Sequence, residues 1–253
     1  MGGLLMRVEG LAVVLRPRSQ SEACDLGLAL VRGHALSIWR CYTPLLLAVG
    51  ALALCAVDTL GWLPMLIVFW LKPWLDRSLL FVLSRAVFGE ATRWADLWRA
   101  RRHVLGGQPW RTLLWRRFSP WRAYTQPIEQ LEAQRGGARR KRARLLLNDN
   151  RSAATALQTA FSNAEGVLTY GLVALLWWFT PENRSADVWD WFFHPQAHAA
   201  GQLGMNLVMA LSYLAVVLFL EPFYVAAGFA MYLNRRVVLE AWDIEQEFRR
   251  AFA

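Results

Sequence analysis

The sequence predicts an all-α fold, a polytopic helical membrane protein with four spans plus amphipathic interfacial helices, and three observations carry that reading. Of its 253 residues 56% are hydrophobic and its mean hydropathy is positive, above the roughly 45–50% apolar content usual for soluble domains. The apolar residues are concentrated in 38–57, 61–71, 166–180 and 203–233, with strongly charged sequence between them. The net charge of +9 is also unevenly spread: arginines crowd the N-terminal segment, the centre and the C-terminal tail, and nearly vanish from two short hairpins.

The first 14 residues lack the long apolar core and small-residue cleavage site of a secretory signal. Met6 stands where N-myristoylation wants Ser or Thr. In 19–32, Ser19 and Glu22 have capping-box spacing, and Ala23, Leu26, Leu30 and Val31 share a helical face, which predicts an amphipathic helix. Residues 38–57 supply about 20 largely uncharged positions, enough for ~30 Å of hydrocarbon, and form span one. After the turn at 58–61, the next apolar run meets Lys72 and Pro73. Span two therefore either continues past Pro73 with Lys72 reaching for the headgroups, or is a short, thinned crossing; Pro73 would kink it. Beyond it, Leu75, Leu79, Leu80, Val82, Leu83, Ala86 and Val87 recur at helical spacing opposite Asp76, Arg77, Ser84 and Arg85, an interfacial helix pattern.

Residues 89–164 are rich in arginine, with Glu90, Asp96, Glu129, Glu132 and Asp149 as the opposing acids, and are broken by Gly106-Gly107, Pro109, Pro120, Pro127 and Gly136-Gly137. They read as a cytoplasmic loop with some helix. Span three begins near Gly166. Trp189, Trp191, Phe192 and Phe193 then suit an outer interfacial hairpin. Span four starts near Leu203, is interrupted by Glu221-Pro222 and ends at Arg235-Arg236. The positive-inside rule puts both termini and the centre in the cytoplasm, a parity that four crossings satisfy. Three domains follow: an N-terminal membrane half at 1–90, a basic cytoplasmic loop at 91–151 and a C-terminal membrane half at 152–253. The halves align as a two-fold internal repeat, with Lys72-Pro73 opposite Glu221-Pro222 and 152–163 matching the helix before span one.

That alignment makes Lys72 and Glu221 a candidate charge pair, since an unpaired charge near the membrane costs a few kcal/mol on insertion scales. The plainer alternative is that both sit at the interface beside a proline. Glu165 is a candidate intramembrane acid, able with Glu221 to form an ion or proton site, against which stands simple interfacial hydration. The run Arg139, Arg140, Lys141, Arg142 and Arg144 is a candidate contact for anionic lipid or an acidic protein partner, though such runs are more commonly only solvated. Trp94, Trp98, Trp110, Trp115, Trp121 and Tyr124 interleave with arginines. Membrane contact explains that pattern without nucleic acid, which is not expected as a partner. His194 and His198 lack a third ligand and read as loop residues, so no metal is expected. Cys24, Cys41 and Cys55 read as small apolar residues rather than a disulfide framework. At the C-terminus Val237, Val238, Ala241, Ile244, Phe248 and Phe252 share a face suited to a membrane surface or a protein groove.

The stretches Arg16-Pro17-Arg18-Ser19, Asp25-Leu26-Gly27, Leu71-Lys72-Pro73, Phe88-Gly89-Glu90, Phe118-Ser119-Pro120, Gln130-Leu131-Glu132, Glu221-Pro222-Phe223-Tyr224-Val225-Ala226-Ala227-Gly228-Phe229, Asn234-Arg235-Arg236 and Trp242-Asp243-Ile244-Glu245 resemble an uncharacterised family of proteobacterial inner-membrane proteins. The family is associated with gene clusters of MoxR-type ATPases. This resemblance spans nearly the whole chain and implies the bacterial inner membrane, with an envelope assembly role by association. The general layout is also similar to the membrane domains attached to glycerophosphodiester phosphodiesterases, with nothing matching their catalytic domain. With neither a nucleophile beside a base nor a ligand cluster, no catalytic residue and no cofactor is expected. The expected function is a non-enzymatic membrane scaffold or assembly partner acting through the basic loop and the C-terminal helix. The alternative is a small-solute or lipid transporter using charges at the span ends.

Overall fold

A computed structural model describes residues 16–106, 113–114, 118–179 and 199–240. Among them are eight helices and no strand: α1 (Gln20–Gly33), α2 (Ala35–Leu54), α3 (Leu63–Ala86), α4 (Trp94–Val104), α5 (Arg122–Gln130), α6 (Gly136–Leu147), α7 (Arg151–Trp178) and α8 (Ala199–Glu240). The all-α class thus holds. Two helices, Ala35–Leu54 and Gln202–Glu240, are long and apolar enough to cross a membrane. The four crossings expected from the sequence go further than these two. In α3 the apolar run meets Lys72, Asp76 and Arg77, and in α7 it begins only at Gly166.

The chain divides into two compact units built from interleaved segments. The first gathers the described residues of Met1–Tyr42, Pro73–Thr159 and Glu221–Ala253, and the second those of Thr43–Lys72 and Ala160–Leu220. This division cuts across the consecutive domains drawn from the sequence, because α2, α3, α7 and α8 each contribute to both units.

In the first unit, α1 begins with the capping box foreseen in the sequence. The Ser19 hydroxyl accepts from the Glu22 N–H at 3.3 Å and Glu22 Oε2 accepts from the Ser19 N–H at 3.2 Å, satisfying two donors that a helix start leaves open. Its buried positions Ala23, Gly27 and Val31 recur every fourth residue. Gly27 is required there: a Cβ would fall 2.6 Å from the Ala226 carbonyl oxygen of α8. Gly228 has the same role against α5, where a Cβ would come within 2.8 Å of the Ala123 carbonyl carbon. Only glycine allows these backbones to approach so closely. The end of α3 is a Schellman turn: Glu90 N–H donates to Arg85 O at 3.2 Å and Gly89 N–H to Ala86 O at 2.9 Å, with Gly89 at φ 75°.

Some sequence expectations change here. Residues beyond Pro73 form no separate interfacial helix, since α3 runs unbroken through the proline to Ala86. Its polar face is not solvated, because Asp76, Arg77 and Ser78 are buried along with Leu75, Leu79, Leu80 and Leu83. The basic centre, expected as a loop with some helix, carries three helices among the described residues, α4, α5 and α6, which bury Leu97, Val104, Tyr124, Ile128, Leu146 and Leu147. Nor does Glu221-Pro222 interrupt the last apolar segment: α8 is one helix of 42 residues, ~63 Å at 1.5 Å per residue.

The second unit is a set of apolar helical segments with much of their apolar surface outward. Leu47, Leu52, Val167, Tyr170, Leu175, Trp178, Leu211 and Phe219 are all more than half exposed, Trp178 reaching 85%. Such a surface exceeds what a water-soluble exterior carries singly.

Candidate functional site: a buried ionic core

A buried charged residue needs a partner, because moving a charge from water costs several kcal/mol even after relaxation. The first unit buries several and links them across elements. Arg122, one residue into α5, lies between two carboxylates. Its Nε is 3.1 Å from Asp76 Oδ2 of α3, and its Nη2 donates to Glu221 Oε1 of α8 at 3.1 Å. The Asp76 contact is Coulombic in character, since the N–H is not aligned for a hydrogen bond. The guanidinium also sits 5.3 Å from the Tyr224 ring centroid, a cation–π arrangement. Tyr224 accepts from the Ala123 N–H at 3.4 Å and donates to Gln158.

Next to it, Arg77 donates through Nε to the Val104 carbonyl at 2.5 Å and through Nη1 to Glu129 Oε1 at 3.4 Å, while its own carbonyl accepts from Gln130 at 2.7 Å. Arg139 Nε approaches Glu129 Oε2 at 3.9 Å. Burial pushes the Arg139 guanidinium below its ordinary value. A cavity of about 20 Å³ between Arg77, Arg122, Arg139, Ser119, Thr125 and Gln126 has room for roughly one water. Asp76, Glu129 and Glu221 are thus matched by Arg77, Arg122 and Arg139, joining α3, α5, α6 and α8.

A second cluster lies one turn further along α6. Arg142 grips Glu132 with Nε–Oε2 at 2.9 Å and Nη2–Oε1 at 3.1 Å, and also pairs with Glu240. Burial lowers the Arg142 value, but Glu132 and Glu240 outweigh it and hold the guanidinium above its ordinary range. Arg236 donates to Glu240 Oε2 at 2.5 Å and Tyr232 to Glu132 Oε1 at 2.6 Å. Tyr124, whose hydroxyl donates to Leu146 O at 2.9 Å, is pushed up to about 12 by burial, against the lowering effects of Asn150 and Arg235.

The five-residue basic run divides accordingly. Arg139 and Arg142 turn inward to these acids, whereas Arg140, Lys141 and Arg144 are exposed. Lys72 belongs to the second unit and Glu221 to the first, and each has a partner within its own unit. Lys72 Nζ lies 2.6 Å from Glu165 Oε2 and Glu221 meets Arg122 as above. Glu165 is therefore an ion-paired acid. Of the interleaved aromatics, Trp98 stacks under Arg101 at 4.5 Å and against Trp94 at 6.1 Å, while Trp121 donates to Thr155 at 2.9 Å. Trp110, Trp115, His194, His198, the outer hairpin aromatics and 241–253 lie outside the described residues. The three cysteines are free, and no metal-holding cluster occurs among the described residues.

Sequence reasoning passed over Asp76, Arg77, Arg122, Glu129 and Glu132 as functional positions. One signal was present: a segment with so few acids had to commit them somewhere, and Glu221 inside an apolar helix called for a cation. No family model matches the chain, and no curated protein or solved structure matches it.

Proposed function

We propose that the chain is a non-enzymatic scaffold of the bacterial inner membrane. In this reading four spans hold the second unit in lipid, both termini lie in the cytoplasm, and the first unit presents a fixed basic surface to anionic lipid or to an acidic envelope or cytoplasmic protein. The observation that carries the proposal is the division of labour along α6. Arg139 and Arg142 fasten the helix to Glu129, Glu132 and Glu240, while Arg140, Lys141 and Arg144 face outward from it. A rigidly held cationic surface loses less entropy on docking than a solvated loop would, and basic residues near a bilayer gain ~1 kcal/mol each from anionic lipid.

Membrane residence is supported by the two span-length helices and the outward apolar surface of the second unit. The two-fold repeat is supported by where the units meet in sequence: α3 passes from one to the other at Lys72/Pro73, and α8 at Leu220/Glu221. Those are the positions that the sequence alignment paired.

The test is purification in nanodiscs from native membrane, with mass spectrometry of co-purifying proteins and lipids. Intact protein is compared with an Arg140→Gln, Lys141→Gln, Arg144→Gln variant. The scaffold reading expects a protein or anionic lipid that is retained by the intact chain and lost from the variant. Equal retention by both would contradict it. A second reading, transport of a small solute or lipid, is favoured by one observation: Glu165 lines a cavity of the second unit.

A further inference from the structure

That cavity has a volume of about 380 Å³, inside the ~300–1,000 Å³ span of small-molecule sites. Its walls are mostly apolar, with Leu66 and Phe69 from α3 and Met209 from α8, and its polar groups include Glu165 and Thr169 of α7 beside the hydroxyls of Ser162, Tyr170 and Tyr213. Trp62 and Tyr170, which are 55% and 64% exposed, also line it. Gly166 lies on its lining, and a Cβ there would meet nothing within 4 Å.

The chemistry of the polar end selects the kind of head group. Glu165 Oε2 is paired with Lys72 Nζ at 2.6 Å, so acid and base together present no net charge to a ligand. An anion would face the carboxylate, and a cation would meet a carboxylate already paired with the Lys72 ammonium, each at a desolvation cost. The Thr169 hydroxyl donates to the Glu165 carbonyl at 2.7 Å, which leaves its oxygen as an acceptor. With Glu165 Oε1 this gives two acceptors that call for a hydrogen-bond donor.

We propose that this cavity binds one chain of an uncharged amphiphile bearing a hydroxyl head, with the chain against Leu66, Phe69 and Met209 and the hydroxyl donating to Glu165. The proposal rests on the reading that the second unit lies in lipid, where an acyl chain enters from the side.

The experiment uses full-length protein in nanodiscs and a monoacylglycerol carrying a diazirine on its chain. Labelling of peptides from α3 and α7 is expected to saturate. Unlabelled monoacylglycerol should compete on the order of tenfold better than the fatty acid or alkylamine of equal length, a difference of ~1.4 kcal/mol. Gly166→Leu fills the cavity and should abolish labelling while the thermal midpoint does not fall. Thr169→Val keeps the shape but removes an acceptor, and should weaken the competition a few-fold. Labelling that rises without saturation, survives Gly166→Leu, or is displaced equally by all three competitors overturns the proposal. Alkaline carbonate extraction of the same membranes reports separately on membrane residence, and repeating the labelling in detergent micelles tests the cavity whatever that extraction shows.

Discussion

Arg122 is a residue on which the ionic core depends heavily, because it touches carboxylates from both α3 and α8. Arg122→Met would leave Asp76 and Glu221 without this guanidinium. Loss of one partner from a buried pair costs about 3–5 kcal/mol, so equilibrium unfolding in mild detergent should show a fall of that size. Arg122→Lys should recover only part of it, since an ammonium cannot span two acids as a planar guanidinium does. Tyr124 sets a pH limit. Its hydroxyl titrates near 10 when unfolded and at about 12 when folded. The stability tied to it is therefore complete below pH 10 and is lost as pH climbs from 10 to 12. Tyr124→Phe removes the bond to Leu146 O, at about 1 kcal/mol near pH 8, and should flatten that alkaline decline, which denaturant titration at pH 8 and pH 11 would measure. At this scale the sequence was partly legible. Glu165 and Glu221 stood out because acids in apolar helices are costly, whereas Arg122 was one arginine among many and only the tertiary fold singles it out.

The helices were legible wherever period and caps agreed. The Ser19–Glu22 box starts α1 where the pattern put it. Prolines were misleading. Pro73 and Pro222 lie inside continuous helices, where packing outweighs the missing N–H. The pairing of Arg139 and Arg142 was not legible, because their charges look solvated when read along the chain, whereas acids outside the run meet them in the fold. Glycine positions offer a contrast between the units. Gly27→Ala and Gly228→Ala each push a Cβ into a neighbouring backbone, and should each cost ~1–3 kcal/mol as overpacking does. Gly171→Ala, with nothing within 4 Å, should gain roughly 0.5–1 kcal/mol from helix propensity. Thermal unfolding of the three variants side by side checks the order.

For the whole molecule, an all-helical fold was readable from hydropathy alone, while its division into interleaved units was not, because apolar periodicity says which face is buried and not which distant segment buries it. The account's central claim is that the second unit resides in the membrane while the α6 surface faces the cytoplasm. Cys55 lies exposed just after α2, in the first hairpin, and Gly137 is exposed at the start of α6, which makes these two positions direct reporters. Intact bacterial cells expressing a Gly137→Cys variant would be treated with a membrane-impermeant maleimide, before and after permeabilisation, and the labelled residues identified by mass spectrometry. The account predicts that Cys55 is labelled in intact cells and the cysteine at 137 only after permeabilisation; labelling at 137 in intact cells, or labelling of both positions only after permeabilisation, would contradict it.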